Sequence, residues 1–351
     1  MDQAYYQQIF QAFSDDLPVS IKAIGAGNIN DTLKVKGQKS SYLLQRINHQ
    51  VFKDPEQVQK NYRLIYDHLS TQDLGLELPT LIRTKSGTSF TRDAEGSYWR
   101  LVAFIDNTIA HEQAQDLAQV KEAAAKIGRF VAALNQAPTP QIGETIPDFH
   151  HFQARYLTFE AFLPGADKTR LKEAKTAIKF IKKNAGQVPD YQGLELPHRL
   201  VHNDPKIGNV LFDNTGAVVA VIDWDTVMPG YLATDLGDMI RTMAVNADED
   251  ERELSRVYLR KNYLEACLEN FLLPLRGLVT PPEKQYLASG PLYIAMEQAL
   301  RFLYDYLAED RYYKIRYPQH NLHRSLNQIE LCRSIMEEQT FIRQTIDRVL
   351  V

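Results

Sequence analysis

The sequence predicts an α+β fold in which a small β-rich region, residues 1–104, precedes a larger and mainly helical region, residues 105–351. Three observations predict it. Over the first hundred residues short apolar runs are broken by turns containing Gly and Ser, the texture of strands. From Leu117 onward apolar residues recur at helical spacing. Inside that helical region lies one island of strand, where "NVLFD", the turn "NTG" and "AVVAVIDW" read as a β-hairpin whose glycine supplies the positive φ. The segment Leu101–Ala110 is the natural connection, and a crevice between two such regions is a usual place for a ligand.

The elements follow in order. A helix is expected near 2–14, then strands around 19–25, 31–36, 41–47, 80–84, 88–92 and 97–104. One helical pattern, Asp54 to Leu69, interrupts the strands. It opens on Asp54-Pro55, an N-cap followed by proline at the first helical position, and Val58, Tyr62, Ile65 and Leu69 then share a face. Further helices are expected over 113–136, 148–160, 168–185, 233–246, 249–269, 282–308 and 320–349.

Composition excludes several partners. With 40 Lys+Arg against 44 Asp+Glu the formal charge is −4, so no basic field exists to hold nucleic acid or an anionic membrane. The apolar runs fall short of the ~20 residues a membrane helix requires, and "MDQAYYQQIF" lacks the features of a signal peptide. The expected location is the cytoplasm, the expected partner a small molecule, and the expected state a monomer or small homo-oligomer. Cys267 and Cys332 stand apart with no ligand spacing around them, as buried free thiols do.

Chemistry concentrates in "HNDPKIGN", His202 to Asn209, and in "VIDWD", Val221 to Asp225. Asp204 precedes a proline and is expected on a fixed loop. The hairpin brings Asn209, at its entry, close to Asp223, at the end of its second strand. An amide oxygen and a carboxylate at one point suit Mg²⁺, which keeps waters and shares phosphate oxygens. Asp204 is left to orient a hydroxyl and take its proton, as phosphoryl transfer requires. Lys206 is placed to neutralise charge on the moving group, and His202 to pin the loop through its ring. Asp225 is a candidate to assist metal or acceptor, or to cap the strand end.

These two segments resemble the catalytic and metal-binding segments of the aminoglycoside phosphotransferase and choline kinase superfamily. That resemblance implies a two-lobed, protein-kinase-like fold, with Asp204 as catalytic base and Asn209 and Asp223 as magnesium ligands. It also implies that Asp235 and Asp238, in "TDLGDMIR", form an acidic helix start that caps exposed N–H groups and braces the catalytic loop. For the nucleotide, ATP, the expected contacts are Gly25, Gly27, Asn28 and Asn30 in "GAGNIN", where backbone N–H groups approach phosphate. The linker backbone from Ala103 to Ile105 is expected to meet adenine. A kinase ordinarily offers a strand lysine held by a helix glutamate. Here "YLLQRIN" presents Gln45 or Arg46 instead, and helix 54–69 offers Glu56 and Asn61 without a clear ion-pair partner.

A closer likeness concerns the acceptor. "YLLQRIN", "GAGNIN", "HNDPKIGN", "IDWDTVMPG", "LRFLYDYLAEDRYY" and "YPQHNLHR" together resemble bacterial N-acetylhexosamine 1-kinases, in the same order over nearly the whole chain. In that family glutamine replaces the lysine. The likeness implies phosphorylation of the anomeric hydroxyl of N-acetylglucosamine or N-acetylgalactosamine, with Arg301 and Tyr312 as sugar contacts beside Asp204. Arg301 and Asp305 share a helix face, which also admits an intrahelical salt bridge. Choline, homoserine or an aminoglycoside is the alternative acceptor. "NADEDERE", 246–253, supplies acidity for a cation, though such a run opening a helix is more often solvated surface. A nucleotide-binding protein without transfer activity is a third reading. A metal-dependent hydrolase is a fourth, for which one histidine and scattered carboxylates are too few.

Overall fold

The computed structural model describes residues 3–24 and 30–351. The chain opens with α1 (Gln3–Gln11), β1 (Pro18–Ala23), β2 (Asp31–Gly37), β3 (Ser41–Ile47) and α2 (Pro55–Leu69), followed by β4 (Leu81–Ile82), β5 (Thr91–Arg92) and β6 (Tyr98–Ala103). These strands form one antiparallel sheet in the order β1-β2-β3-β6-β4, with β5 also on β6. The sheet has an alternating buried face. Leu33, Val35, Leu44, Trp99 and Leu101 pack there against Ile9, Phe10 and Phe13 from α1 and the turn after it. Helix α2 begins as its sequence requires: the Asp54 side chain accepts the Gln57 N–H, and Val58, Tyr62, Ile65 and Leu69 are buried.

After β7 (Ile109–Ala110) come α3 (Leu117–Leu134), α4 (Phe152–Phe162), α5 (Lys168–Glu173), α6 (Lys175–Asn184), β8 (Arg199–Val201), β9 (Val210–Phe212), β10 (Val218–Val221) and β11 (Met228–Gly230). The chain closes with α7 (Leu232–Met243), α8 (Lys261–Leu272), α9 (Pro281–Leu287), α10 (Gly290–Leu307), α11 (His320–Glu337) and α12 (Gln339–Val349). The main core lies here. Helix α10 is apolar almost all round because it is central, packing on α7, α11 and α4. At its start, a Cβ on Gly290 would collide with the Ala233 carbonyl of α7, so only glycine allows this approach. Among the described residues no helix is long and apolar enough to cross a membrane. Both cysteines are free and buried.

The hairpin forms as the sequence predicts, with Gly216 at φ 86° in its turn. Several helix expectations need correction. The stretch expected as one helix over 249–269 has only a 3₁₀ turn at Leu254–Arg256 before it becomes α-helical at Lys261. Residues before it stay irregular because Asn327 holds the Asp248 and Glu251 carbonyls and the Asp250 carboxylate pairs with Arg324, His320 and Arg316. The "NADEDERE" run is therefore an anchored segment rather than a solvated helix start. The expected helix over 282–308 is two helices that break at Ala288-Ser289, where Gly290 and Pro291 restart the chain against α7. Likewise 168–185 divides at Ala174 and 320–349 at Glu338. Apolar periodicity continues through such breaks, so it does not mark them.

Candidate active site

Strand β8 delivers the loop that carries the candidate residues, and β11 pairs with β8 so that Val201 lies opposite Met228. That pairing brings the segments 202–209 and 223–227 together. Asn203 takes φ 62°, a left-handed turn that asparagine tolerates, and its Nδ2 donates to the Thr226 carbonyl at 3.0 Å. Thr226 in turn donates its hydroxyl to the His202 carbonyl at 2.9 Å. His202 pins the loop from within: its Nε2–H donates to the Ile222 carbonyl at 2.9 Å and its Nδ1 accepts the Asp204 N–H at 3.3 Å. Burial pushes its pKa down, so the ring stays neutral.

Asp204, Lys206 and Asn209 meet around one carboxylate. Lys206 Nζ lies 2.7 Å from Asp204 Oδ2, and Asn209 Nδ2 donates to the same oxygen at 3.1 Å and to the Asp204 carbonyl at 2.8 Å. Burial works to raise the Asp204 pKa, but the Lys206 ammonium outweighs it and holds the carboxyl below its ordinary range. Asn209 points its amide nitrogen at Asp204, so its Oδ1 remains available. The Ile222 N–H donates to the Asn209 carbonyl at 2.9 Å, which sets Asp223 beside Asn209. Asp223 lies past the end of β10 with φ 65°, and its carboxylate has no hydrogen-bond partner among the described residues. Although the side chain is exposed, desolvation by the protein around it, then the nearby Asp225 carboxylate, pushes its pKa up to about 6.

This donor set suits a hard divalent cation. Two uncommitted oxygens, one on an anion short of positive charge, match an ion that completes its shell with water and phosphate. Among the described residues no three His, Cys, Asp or Glu side chains gather as a metal group, so a cage made wholly of protein ligands is not what these residues build.

Asp235 supports the loop differently from the expected helix cap. Tyr231 occupies the N-cap of α7, and the Asp235 carboxylate instead accepts the His202 and Asn203 N–H groups, each at 2.7 Å. Burial pushes its pKa up to about 7 despite those donors. Asp238 is likewise no cap: it pairs with Arg241 at 2.8 Å, and Arg241 with Glu249 at 2.7 Å.

On the nucleotide side, Gly25, Gly27 and Asn28 lie outside the described residues. Asn30 is described, and its Nδ2 donates to Asp225 Oδ2 at 2.8 Å while its Oδ1 accepts the Asn48 N–H. Along the linker, the Ala103 and Phe104 N–H groups are engaged by the Thr80 and Ser41 carbonyls. Ile105 has an N–H with no partner among the described residues, the donor an adenine edge needs. Gln45 faces Arg100, and Arg46 instead pairs with Asp31 at the surface. Asp225 neither caps a strand nor faces free space, because Arg100 grips both its oxygens. Glu56 pairs with Arg92, and Asn61 holds Gln57 and Gly143, so α2 supplies no glutamate to this site.

On the acceptor side, Arg301 and Tyr312 come together. The Arg301 guanidinium lies 5.9 Å from the Tyr312 ring centre and 5.6 Å from that of Tyr313. Its hydrogen bonding is nearly unused, with one long contact of 3.4 Å to Gln298. Tyr312 is 54% exposed, and the Tyr313 hydroxyl is buried without a partner among the described residues. Asp305 does not pair with Arg301. It turns away to accept the Tyr312 and Tyr313 N–H groups and Asn321 Nδ2, shaping the loop that presents the tyrosines.

Sequence reasoning missed His150 and Glu297, which join this side to the loop. Nδ1 of His150 meets Glu297 Oε2 at 2.8 Å and its Nε2 meets the Asn203 carbonyl at 2.9 Å. Burial disfavours the imidazolium, but Glu297 outweighs it and raises the His150 pKa. A histidine donating at both nitrogens is charged. Its raised folded-state value means the added stability is complete below the ordinary pKa of about 6.5 and disappears as pH rises through the folded value. We expect the melting-temperature difference between wild type and His150→Gln to be largest near pH 6 and to shrink at alkaline pH; a flat difference would show a neutral ring.

Comparison with known proteins accords with this architecture. The model of the phosphotransferase enzyme family matches residues 20–267, well over half of the chain. The chain belongs to that family. The fold of this phosphotransferase is that of an aminoglycoside phosphotransferase from Alicyclobacillus acidocaldarius, with a TM-score of 0.60 at 15% identity over 97% of this chain and 96% of that one. It is equally similar to a microcompartment-associated aminopropanol kinase, with a TM-score of 0.61 at 14% identity over 97% and 98%. A spectinomycin phosphotransferase in complex with ADP and spectinomycin gives 0.57 at 15% identity over 92% of each chain. The expected protein-kinase-like α+β fold is thus the observed one.

Proposed function

We propose that this phosphotransferase is an ATP- and Mg²⁺-dependent sugar 1-kinase acting on the anomeric hydroxyl of an N-acetylhexosamine. One observation carries the reading: the Asp204 carboxylate, held below its ordinary pKa by Lys206, also accepts from Asn209, whose carbonyl takes the N–H of the residue before Asp223. Asp204 accepts the acceptor hydroxyl's proton as that oxygen attacks the γ-phosphorus in line. The new O–P bond forms as the bond to the β,γ-bridging oxygen breaks, and ADP leaves. Lys206, charged because Asp204 and Asp223 raise its pKa against burial, faces the negative charge of the transferring group. Asn209 Oδ1 and Asp223 would hold magnesium, which when bound would supply charge neutralisation to the phosphates. The Ile105 N–H hydrogen-bonds adenine.

The acceptor assignment is supported by the unused donors of Arg301 beside an exposed and a buried tyrosine. A neutral polyol needs oriented hydrogen bonds of this kind, whereas a cation would be repelled by the guanidinium. The solved relatives named for aminopropanol and spectinomycin keep amine-bearing acceptors in view. ATP consumption across N-acetylated hexosamines, plain hexoses, choline, homoserine and aminoglycosides, with the phosphorylated position read by NMR, tests the assignment. Turnover confined to N-acetylhexosamines with phosphate at C1 is expected. Turnover of amines alone would replace the acceptor, and silence with intact nucleotide binding would leave a binding protein.

A further inference from the structure

Arg100 is the most deeply buried cation of the sheet, 2% exposed on β6 directly across from Gln45 on β3. Its guanidinium is fully engaged. Nε donates to Gln45 Oε1 at 2.9 Å, while Nη1 and Nη2 grip the two oxygens of Asp225 at 2.5 and 2.9 Å. Asp225 Oδ2 also accepts Asn30 Nδ2, and Gln45 Nε2 donates to Thr32, which aims Gln45 Oε1 at the arginine. Beneath the guanidinium lies the Tyr62 ring of α2 at 5.4 Å, and Tyr62 packs on Trp224, the residue between Asp223 and Asp225.

In the usual kinase arrangement a strand lysine pairs with a helix glutamate. In this protein the strand position is an acceptor, the helix offers an aromatic ring, and the carboxylate comes from the segment carrying Asp223. We propose that Arg100 is the positioning residue that replaces the lysine–glutamate pair. It latches the N-terminal sheet to Asp225, and so fixes both the left-handed Asp223 turn and the exit of the glycine-bearing loop at Asn30. Position 45 is glutamine because it must accept from Arg100. A lysine there would set a second cation against the guanidinium and remove that acceptor. The inference rests on the nucleotide reading above, not on the identity of the acceptor.

The decisive contrast is Gln45→Glu against Gln45→Lys, at a half-buried position. Calorimetric titration with Mg·ATP needs no acceptor and reads the latch directly. Gln45→Glu keeps the acceptor and is expected to retain Mg·ATP affinity well above that of Gln45→Lys. Gln45→Lys is expected to lose about tenfold or more in affinity, the scale of a charge-assisted hydrogen bond, and to lower kcat without changing the acceptor KM. Asp225→Asn, which removes the counter-charge, should behave like Gln45→Lys. Wild-type Mg·ATP affinity in Gln45→Lys would overturn the proposal, as would equal losses in the Glu and Lys variants, which mark a packing position. If wild type binds Mg·ATP but turns over no sugar, the acceptor reading fails and this contrast still decides the latch.

Discussion

Asp204→Asn is expected to lower kcat by about two to four orders of magnitude, the range of a general base, while nucleotide affinity holds. The geometry explains the split. Among the described residues the Asp204 carboxylate hydrogen-bonds Lys206 and Asn209 and no residue of the sheet or the linker, so its charge is placed to serve the acceptor hydroxyl rather than the adenine. Asparagine preserves the shape and the contact with Lys206, yet it has no basic oxygen to receive the proton. Steady-state rates beside a titration of Mg·ATP check the prediction. Unchanged turnover would remove Asp204 from the chemistry.

Asp235→Ala should act on both stability and rate. The carboxylate satisfies two buried backbone donors, those of His202 and Asn203, which have no other acceptor among the described residues. Leaving both unpaired costs about 2 to 6 kcal/mol by the usual penalty per buried donor. The Asn203 turn at φ 62° loses its brace at the same moment, and Asp204 is the next residue. Urea unfolding should show the lost stability, and kcat should drop even where the variant is folded. A folded variant with wild-type rate would mean that the His202 and Asn203 carbonyl and ring contacts hold the loop alone.

How much of the site was legible depended on how far apart its parts lie in the chain. Asp204, Lys206 and Asn209 sit within one short loop, and a hairpin signalled by its own turn returns the chain to Asn209 at Asp223. Local spacing therefore sufficed to group them. Arg100 and Asp225 are separated by 125 positions and His150 and Glu297 by 147, and neither pair carries a local pattern. Gln45 illustrates the difference. Read alone it is a kinase lysine gone missing; placed opposite Arg100 it is a required acceptor. The alternative salt bridge between Arg301 and Asp305 fails for the same reason, since helical spacing puts them on one face but the loop of Tyr312 and Tyr313 takes the Asp305 oxygens.

Helix limits taught a similar lesson. Asp54-Pro55 announced the start of α2 because a cap is a local hydrogen bond. The break before Gly290 was silent in the sequence, because it depends on the close approach of α7. Sequence alone specified the α+β class, the hairpin and the short loop of polar groups, all of which follow from periodicity and turn chemistry within a few residues. Tertiary structure alone decided which charges neutralise one another, which helices end, and which backbone donors Asp235 serves. Those outcomes arise from burial, and burial is a property of neighbours that the linear order does not name.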